Sequence, residues 1–137
     1  MDSPLDASTL PVWEYATPGP LRERLNGLTL AGVKTTTFGI DAITLAFGEP
    51  LEQPGDRFVL VGTNGARLAV VEVIDVERTR VADVRWDQVE REGESFRDVA
   101  HWREAHERFW APFSHIVQVD DDTVVTCVTL RVVERLA

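Results

Sequence analysis

An α+β domain built on a small curled mixed sheet or barrel is the architecture this sequence predicts. Three observations lead there. The chain has 137 residues, 44% of them hydrophobic and 27% charged, which suits one soluble domain with its own core and leaves no room for a second. Runs rich in β-branched residues are interleaved with segments of helical period. Those segments do not follow the regular β-α-β alternation that a doubly wound parallel sheet requires.

The elements follow in order. Residues 1–18, with Pro4, Pro11 and Pro18, lack a period and are expected to form an N-terminal arm anchored by Trp13, leaving 19–137 as the folded domain. After Pro20, Leu21, Leu25 and Leu28 fall at i, i+4 and i+7, and Gly32 stands where a glycine closes a helix, so a short N-terminal helix is predicted. Lys34-Thr35-Thr36-Thr37 then brings three β-branched residues that favour an extended chain. Residues 38–56, with Gly48-Glu49-Pro50 and Gln53-Pro54-Gly55-Asp56, are expected to be a loop. Arg57–Val61 and Leu68–Val76 flank Asn64-Gly65, a strong hairpin signal. Val84, Trp86 and Val89 open a helical stretch. Ser95-Phe96-Arg97-Asp98 resembles a capping arrangement for a second helix over 96–110, with a stripe of Val99, Trp102 and Phe109 and a stop at Pro112. The β-branched tail from Ile116 breaks at Asp120-Asp121-Asp122, before a long terminal strand over Val124–Val133.

Composition limits the function. There are 23 acidic against 14 basic residues, a net charge of −9, and such a field repels polyanions; double-stranded DNA is not an expected partner. Cys127 is the only cysteine, which rules out an internal disulfide and a cysteine-rich zinc site and points to a reducing, cytoplasmic setting. No signal peptide is expected after Met1, and the densest apolar run, Leu68 to Val76, is interrupted by acids well short of a membrane span. One asymmetry stands out: of the 14 basic residues all but Lys34 are arginine.

Several chemistries fail on spacing. Neither GxxxxGK[ST] nor GxGxxG occurs. His101 and His106 are five apart, about 140° around a helix, so they do not form a zincin pair. The Asp120–Asp122 triplet lacks the spacing of a calcium loop and reads as a solvated turn. No GxSxG elbow is present, and Cys127, in a β-branched run, reads as a small buried hydrophobe. No cofactor or metal is called for.

What remains is a set of motifs: Leu28-Thr29-Leu30-Ala31-Gly32-x-Lys34-Thr35-x-Thr37, then Pro54-Gly55-Asp56 before a strand, then Glu92-Gly93-Glu94, then the run His101 to Trp110, His-Trp-Arg-Glu-Ala-His-Glu-Arg-Phe-Trp. In this order they resemble the ASCH domain family, over about residues 19–135. The resemblance implies a PUA-like small mixed β-barrel with a short N-terminal helix and one or two helices inserted before the C-terminal strands. Some small members look like amidohydrolases that deacylate N(4)-acetylcytidine with a lysine, a threonine three residues later and a glutamate before the later helix. By position these fall on Lys34, Thr37 and Glu92. Other members resemble single-stranded ribonucleases or RNA-binding modules.

Amide hydrolysis needs a nucleophile, a base and donors or positive charge for the oxyanion. Thr37 as nucleophile, Lys34 as a base with its pKa lowered by burial, and Glu92 to orient the lysine would supply these roles. Thr35, Thr36, Glu94, Trp102, Arg103 and His106 are the expected substrate-binding residues. In a regular strand Lys34 and Thr37 would face opposite sides, so this reading requires a bulge or turn within 34–37. Each residue also has a structural reading. A lysine after a helix end suits the negative pole of its dipole. The threonines suit a strand, the glutamates a helix N-terminus, Trp102 and His106 a core, and Arg103 a surface ion pair. The expected partner is a nucleoside-like small molecule or, as the alternative, single-stranded RNA held by arginines such as Arg22, Arg24, Arg78 and Arg80.

Overall fold

The computed structural model of the protein describes residues 8–136; residues 1–7 of the expected arm, Pro4 among them, and Ala137 lie outside the described residues. Five strands, β1 (Val12–Trp13), β2 (Thr36–Gly39), β3 (Arg57–Val61), β4 (Arg67–Arg80) and β5 (Val124–Arg135), form one sheet in the order β1-β3-β4-β5-β2. β1 runs parallel to β3, and every other neighbouring pair is antiparallel. The α+β class and the mixed sheet stand as expected. The closed barrel does not: among the described residues the edge strands β1 and β2 do not pair. With two and four residues respectively, these edges offer too few backbone groups to close the ring.

The spine is the long β4–β5 ribbon, register-shifted at Val70/Val71 and Val73/Asp75. β3 pairs with the first half of β4, and β2 pairs with the first half of β5, so the ribbon carries its partners at opposite ends. The Asn64-Gly65 hairpin forms, Gly65 adopting φ 81° as a tight turn requires.

Among the described residues four α-helices pack on this frame: α1 (Pro20–Leu30), α2 (Asp41–Ala46), α3 (Trp86–Glu90) and α4 (Val99–Trp110). Pro20 starts α1 where its missing N–H costs nothing. The helix closes in a Schellman arrangement, Gly32 at φ 75° with Val33 N–H donating to Leu28 O at 2.9 Å and Gly32 N–H to Thr29 O at 3.1 Å. Its buried face is not the leucine stripe but Arg22, Leu25, Asn26 and Thr29, with Leu21 exposed. Buried polar groups explain the difference: Arg22 bonds the Tyr15 and Ala16 carbonyls, Asn26 the Val61 carbonyl, and Thr29 the Tyr15 hydroxyl.

Residues 38–56 are not a continuous loop. Phe38 and Gly39 complete β2, Ile40 is buried, and α2 follows before Gly48 turns at φ 75°; elements of four and six residues are too short to display a period. α4 begins at Val99, with Asp98 as its cap, accepting from His101 N–H at 2.7 Å. Ser95 is not the cap; it sits at φ 66° in the preceding turn. On α4 Trp110, rather than the half-exposed Phe109, joins Trp102 in the core.

Two apolar clusters result. One joins Phe38, Val89, Trp102, Trp110 and Val125 between β2, β5 and the later helices. The other joins Tyr15, Leu25, Leu60, Val71 and Val128 beneath α1. A cavity lies where they meet, taking Phe38 from the first and Tyr15, Leu25 and Val128 from the second.

Candidate functional site

The site is made by two turns locked together. Beyond the Schellman turn, Thr35 and Thr36 N–H both donate to Arg91 O, at 2.8 and 3.1 Å, and Thr36 Oγ1 donates to Gln88 O at 2.9 Å. The opposing turn contains Gly93 at φ 67°, where an added Cβ would lie 2.6 Å from Val33 O. Only glycine permits this approach. It brings Lys34, before β2, against Glu92 and Glu94.

Lys34 is 2% exposed. Its ammonium donates to Thr36 O at 2.9 Å, Glu92 Oε2 at 3.1 Å and Glu94 Oε2 at 2.8 Å, which uses all three N–H donors. The Tyr15 ring covers it, with the centroid 5.5 Å from Nζ. Three acceptors converging on one point suit a compact tetrahedral ammonium, not a planar guanidinium. That accounts for a single lysine in a chain that otherwise uses arginine.

Burial acts against the charged form of Lys34, but the Glu92 and Glu94 carboxylates outweigh it and hold its pKa above the ordinary lysine value. The expectation of a lysine depressed by burial is therefore corrected: this lysine is a fixed cation. The two glutamates diverge. Glu92 is buried, which disfavours its charge, yet His106 and Lys34 beside it hold its carboxyl below the usual range. Trp102 Nε1 also donates to Glu92 Oε1, at 2.6 Å. Glu94 is raised by burial, only partly offset by Lys34, with the Glu92 charge adding to the rise. One carboxyl is a locked anion and its neighbour is ready to take a proton, the separation expected of acid–base chemistry.

The cavity in front of this cluster has a volume of about 410 Å³ and is bordered by Lys34, Thr37, Glu92, Glu94 and His106. Lys34 and Thr37 border it together because Lys34 precedes the strand, so the alternation that would separate them does not apply. Among the other expected residues, Thr36 is buried on Gln88 and Thr35 faces Arg91. Trp102 is fully buried behind Glu92. Arg103 pairs with Asp121 at 2.6 Å and with Glu107 at 3.6 Å, outside the cavity. Sequence reasoning missed Tyr15, Phe96 and the acids Asp41 and Glu52, all of which border the cavity. For Tyr15 a signal was present, a second aromatic residue two positions after Trp13 in the arm.

A family model described as the ASCH domain matches residues 12–134. The chain belongs to the ASCH family. Its fold is PUA-like, and solved structures agree. The ASCH domain here is similar to an ASCH domain from Lactobacillus crispatus, with TM-score 0.80 and 21% identity over 91% of this chain and 80% of that one. It is similar to a protein from Enterococcus faecalis V583 assigned to the domain family DUF984, with TM-score 0.77 and 25% identity over 91% and 77%. A mutant ASCH protein from Zymomonas mobilis matches at TM-score 0.53 and 13% identity over 84% and 68%. No curated protein matches the chain. Among the described residues of this ASCH domain, no helix is long and apolar enough to cross a membrane.

Proposed function

We propose that this ASCH protein is an amidohydrolase acting on an N(4)-acylated cytidine-type nucleoside. The observation that carries this reading is the convergence of Lys34, Glu92 and Glu94 on one wall of a cavity that Thr37 also borders. At about 410 Å³ the space lies within the range of small-molecule sites.

The roles differ from those the family resemblance implies. A lysine held charged is not the base; Glu94, raised and partly exposed, is suited to that task. Glu94 takes the Thr37 hydroxyl proton as Oγ1 adds to the acyl carbon. The amine leaves with that proton, and water cleaves the resulting ester by the same route, so the balance is amide plus water to acid plus amine. Protonation of Glu94 weakens its hold on Lys34 and frees one ammonium N–H for the oxyanion as it develops. Glu92 keeps the lysine in place throughout.

Membership of the family points to RNA or small-molecule binding, and charge favours the small molecule. Five carboxylates, those of Glu14, Asp41, Glu52, Glu92 and Glu94, border the cavity against one ammonium, a poor site for a phosphodiester backbone. The alternative, a single-stranded RNA-binding module or ribonuclease, relied on a basic groove. Arg22 and Arg24 are bonded to backbone carbonyls, Arg78 to Asp41, and Arg80 to Asp83 and Asp122. The lone buried cysteine suits a cytoplasmic protein.

Incubation with N(4)-acetylcytidine tests the proposal. The wild type is expected to release cytidine and acetate, and Lys34→Ala is not. Equal turnover by both proteins, or none by either, sinks it.

A further inference from the structure

We infer that His106 is a positioning residue that sets the proton occupancy of Glu94 by holding a proton against Glu92. Its Nδ1 lies 2.9 Å from the Trp102 carbonyl oxygen. A carbonyl only accepts, so Nδ1 carries hydrogen. In a neutral ring Nε2 is then a bare lone pair, and it faces Glu92 Oε1 at 3.4 Å. Two acceptors repel at that distance unless a proton lies between them. Glu92 already receives Trp102 Nε1–H on Oε1 and Lys34 on Oε2, so it is the anion and the proton belongs on Nε2.

The surroundings suit a charged ring. Trp102 stacks on His106 at 4.7 Å between centroids and 27° between planes, while Trp110, Phe96 and Phe38 stand at 5.2, 5.7 and 6.1 Å. The stacked Trp102 face stabilises a cation at that distance. The charged and titratable groups around His106 come from the turn after α1 (Lys34) and the turn after α3 (Glu92 and Glu94), with Tyr15 behind Lys34. Phe38 of β2 adds no charge. On its own helix, Arg103 and Glu107 pair with each other, and Arg103 with Asp121.

Two cations, Lys34 and His106, balance two carboxylates. Without the His106 charge the buried cluster is left with an excess negative charge. Glu94 is the member able to accept a proton in response, because Glu92 still receives Trp102 Nε1–H and the Lys34 ammonium. Removing His106 therefore keeps Glu94 protonated to higher pH and delays its entry into the base role. This inference deepens the amidohydrolase reading and rests on it only for its kinetic consequence.

The test is a carboxyl ¹³C NMR titration of the wild type and His106→Gln, with Glu94→Gln assigning the signal. Glu94 is expected to titrate about one pH unit or more higher in His106→Gln, the effect of losing a nearby opposite charge; an unmoved titration overturns the inference. In the wild type alone, ring ¹⁵N shifts should show Nδ1 carrying hydrogen, and an Nε2–H tautomer with bare Nδ1 overturns it even if the variant does not fold. If the wild type hydrolyses the amide, the acidic limb of the kcat/KM profile should move up in His106→Gln with the Glu94 titration. A uniform loss with an unmoved limb marks a purely structural role and overturns it. If the wild type is inactive, the amidohydrolase reading falls while both NMR measurements still decide this one.

Discussion

Two three-membered charge clusters in this protein are built to opposite proportions. On the outer face of the sheet, Glu72 of β4 receives Arg57 from β3 at 3.1 Å and Arg131 from β5 at 2.7 Å. These are direct cross-strand neighbours. In the interior, Lys34 is shared by Glu92 and Glu94. Outside, one acid has two cations, and its carboxyl sits below the usual range because Arg131 and Arg57 donate to it. Inside, two acids share Lys34, and with His106 beside Glu92 their proton affinities part. The exposed cluster has nothing left to exchange. The buried one holds an unequal pair of carboxyls, with the more proton-loving one facing a cavity. Two carboxyls of unequal proton affinity in a dry place are what make chemistry available there.

The strongest way to break the comparison is to remove the buried cation. Lys34→Met is expected to abolish turnover and to destabilise the fold by about 3–5 kcal/mol, since it strands buried carboxylates. Lys34→Arg should not restore activity, because a guanidinium does not fit three converging acceptors. Denaturant unfolding and an amide-release assay measure both. Arg131→Met, outside, should leave the unfolding midpoint where it was.

Next in size is the junction that creates the buried cluster. Gly93→Ala puts a Cβ 2.6 Å from Val33 O at a positive φ, and should cost at least about 2 kcal/mol while separating Lys34 from the glutamates. Full activity in a normally stable Gly93→Ala protein would show that the two turns need not touch.

The two glutamates should then come apart by sign. Glu92 has a lowered pKa, so its ionisation contributes stability that is present above about 4.5 and lost as pH falls through its folded value. Glu94 has a raised pKa, so its ionisation opposes folding once pH exceeds that of the unfolded chain. Glu92→Gln is accordingly expected to destabilise at pH 7. Glu94→Gln should abolish turnover yet leave the protein as stable as the wild type or more so. Lys34, raised, stabilises below about 10.5 and ceases to do so as pH climbs through its folded value; in Lys34→Met that contribution to the alkaline loss of stability should vanish. The smallest effect belongs to Thr36→Val, which leaves the Gln88 carbonyl without its hydroxyl donor and should cost about 1 kcal/mol with the chemistry intact.

Much of this was legible in the chain. The hairpin at Asn64-Gly65, the glycine closing α1 and the terminal strand were readable because they depend on backbone conformations that few residues permit or on long β-branched runs. Lys34 was marked by composition, and its partner Glu92 by the family's motif. Less readable were elements that tertiary contacts impose. β2 and α2 are too brief to show a period, the buried face of α1 is chosen by hydrogen bonds from Arg22 and Asn26 to distant carbonyls, and Trp110 displaces Phe109 from the core.

By itself the sequence determined the α+β class, the family and the presence of one unusual cation, since these depend on local propensity, pattern and residue identity. The tertiary structure alone decided the charge state of that cation. Burial by itself argues for a neutral amine, and only the docking of residue 33 against Gly93, which places two carboxylates 2.8 and 3.1 Å from Nζ, reverses the sign. The role of base passes from Lys34 to Glu94 because proton affinity is a property of the surrounding charges and not of the residue.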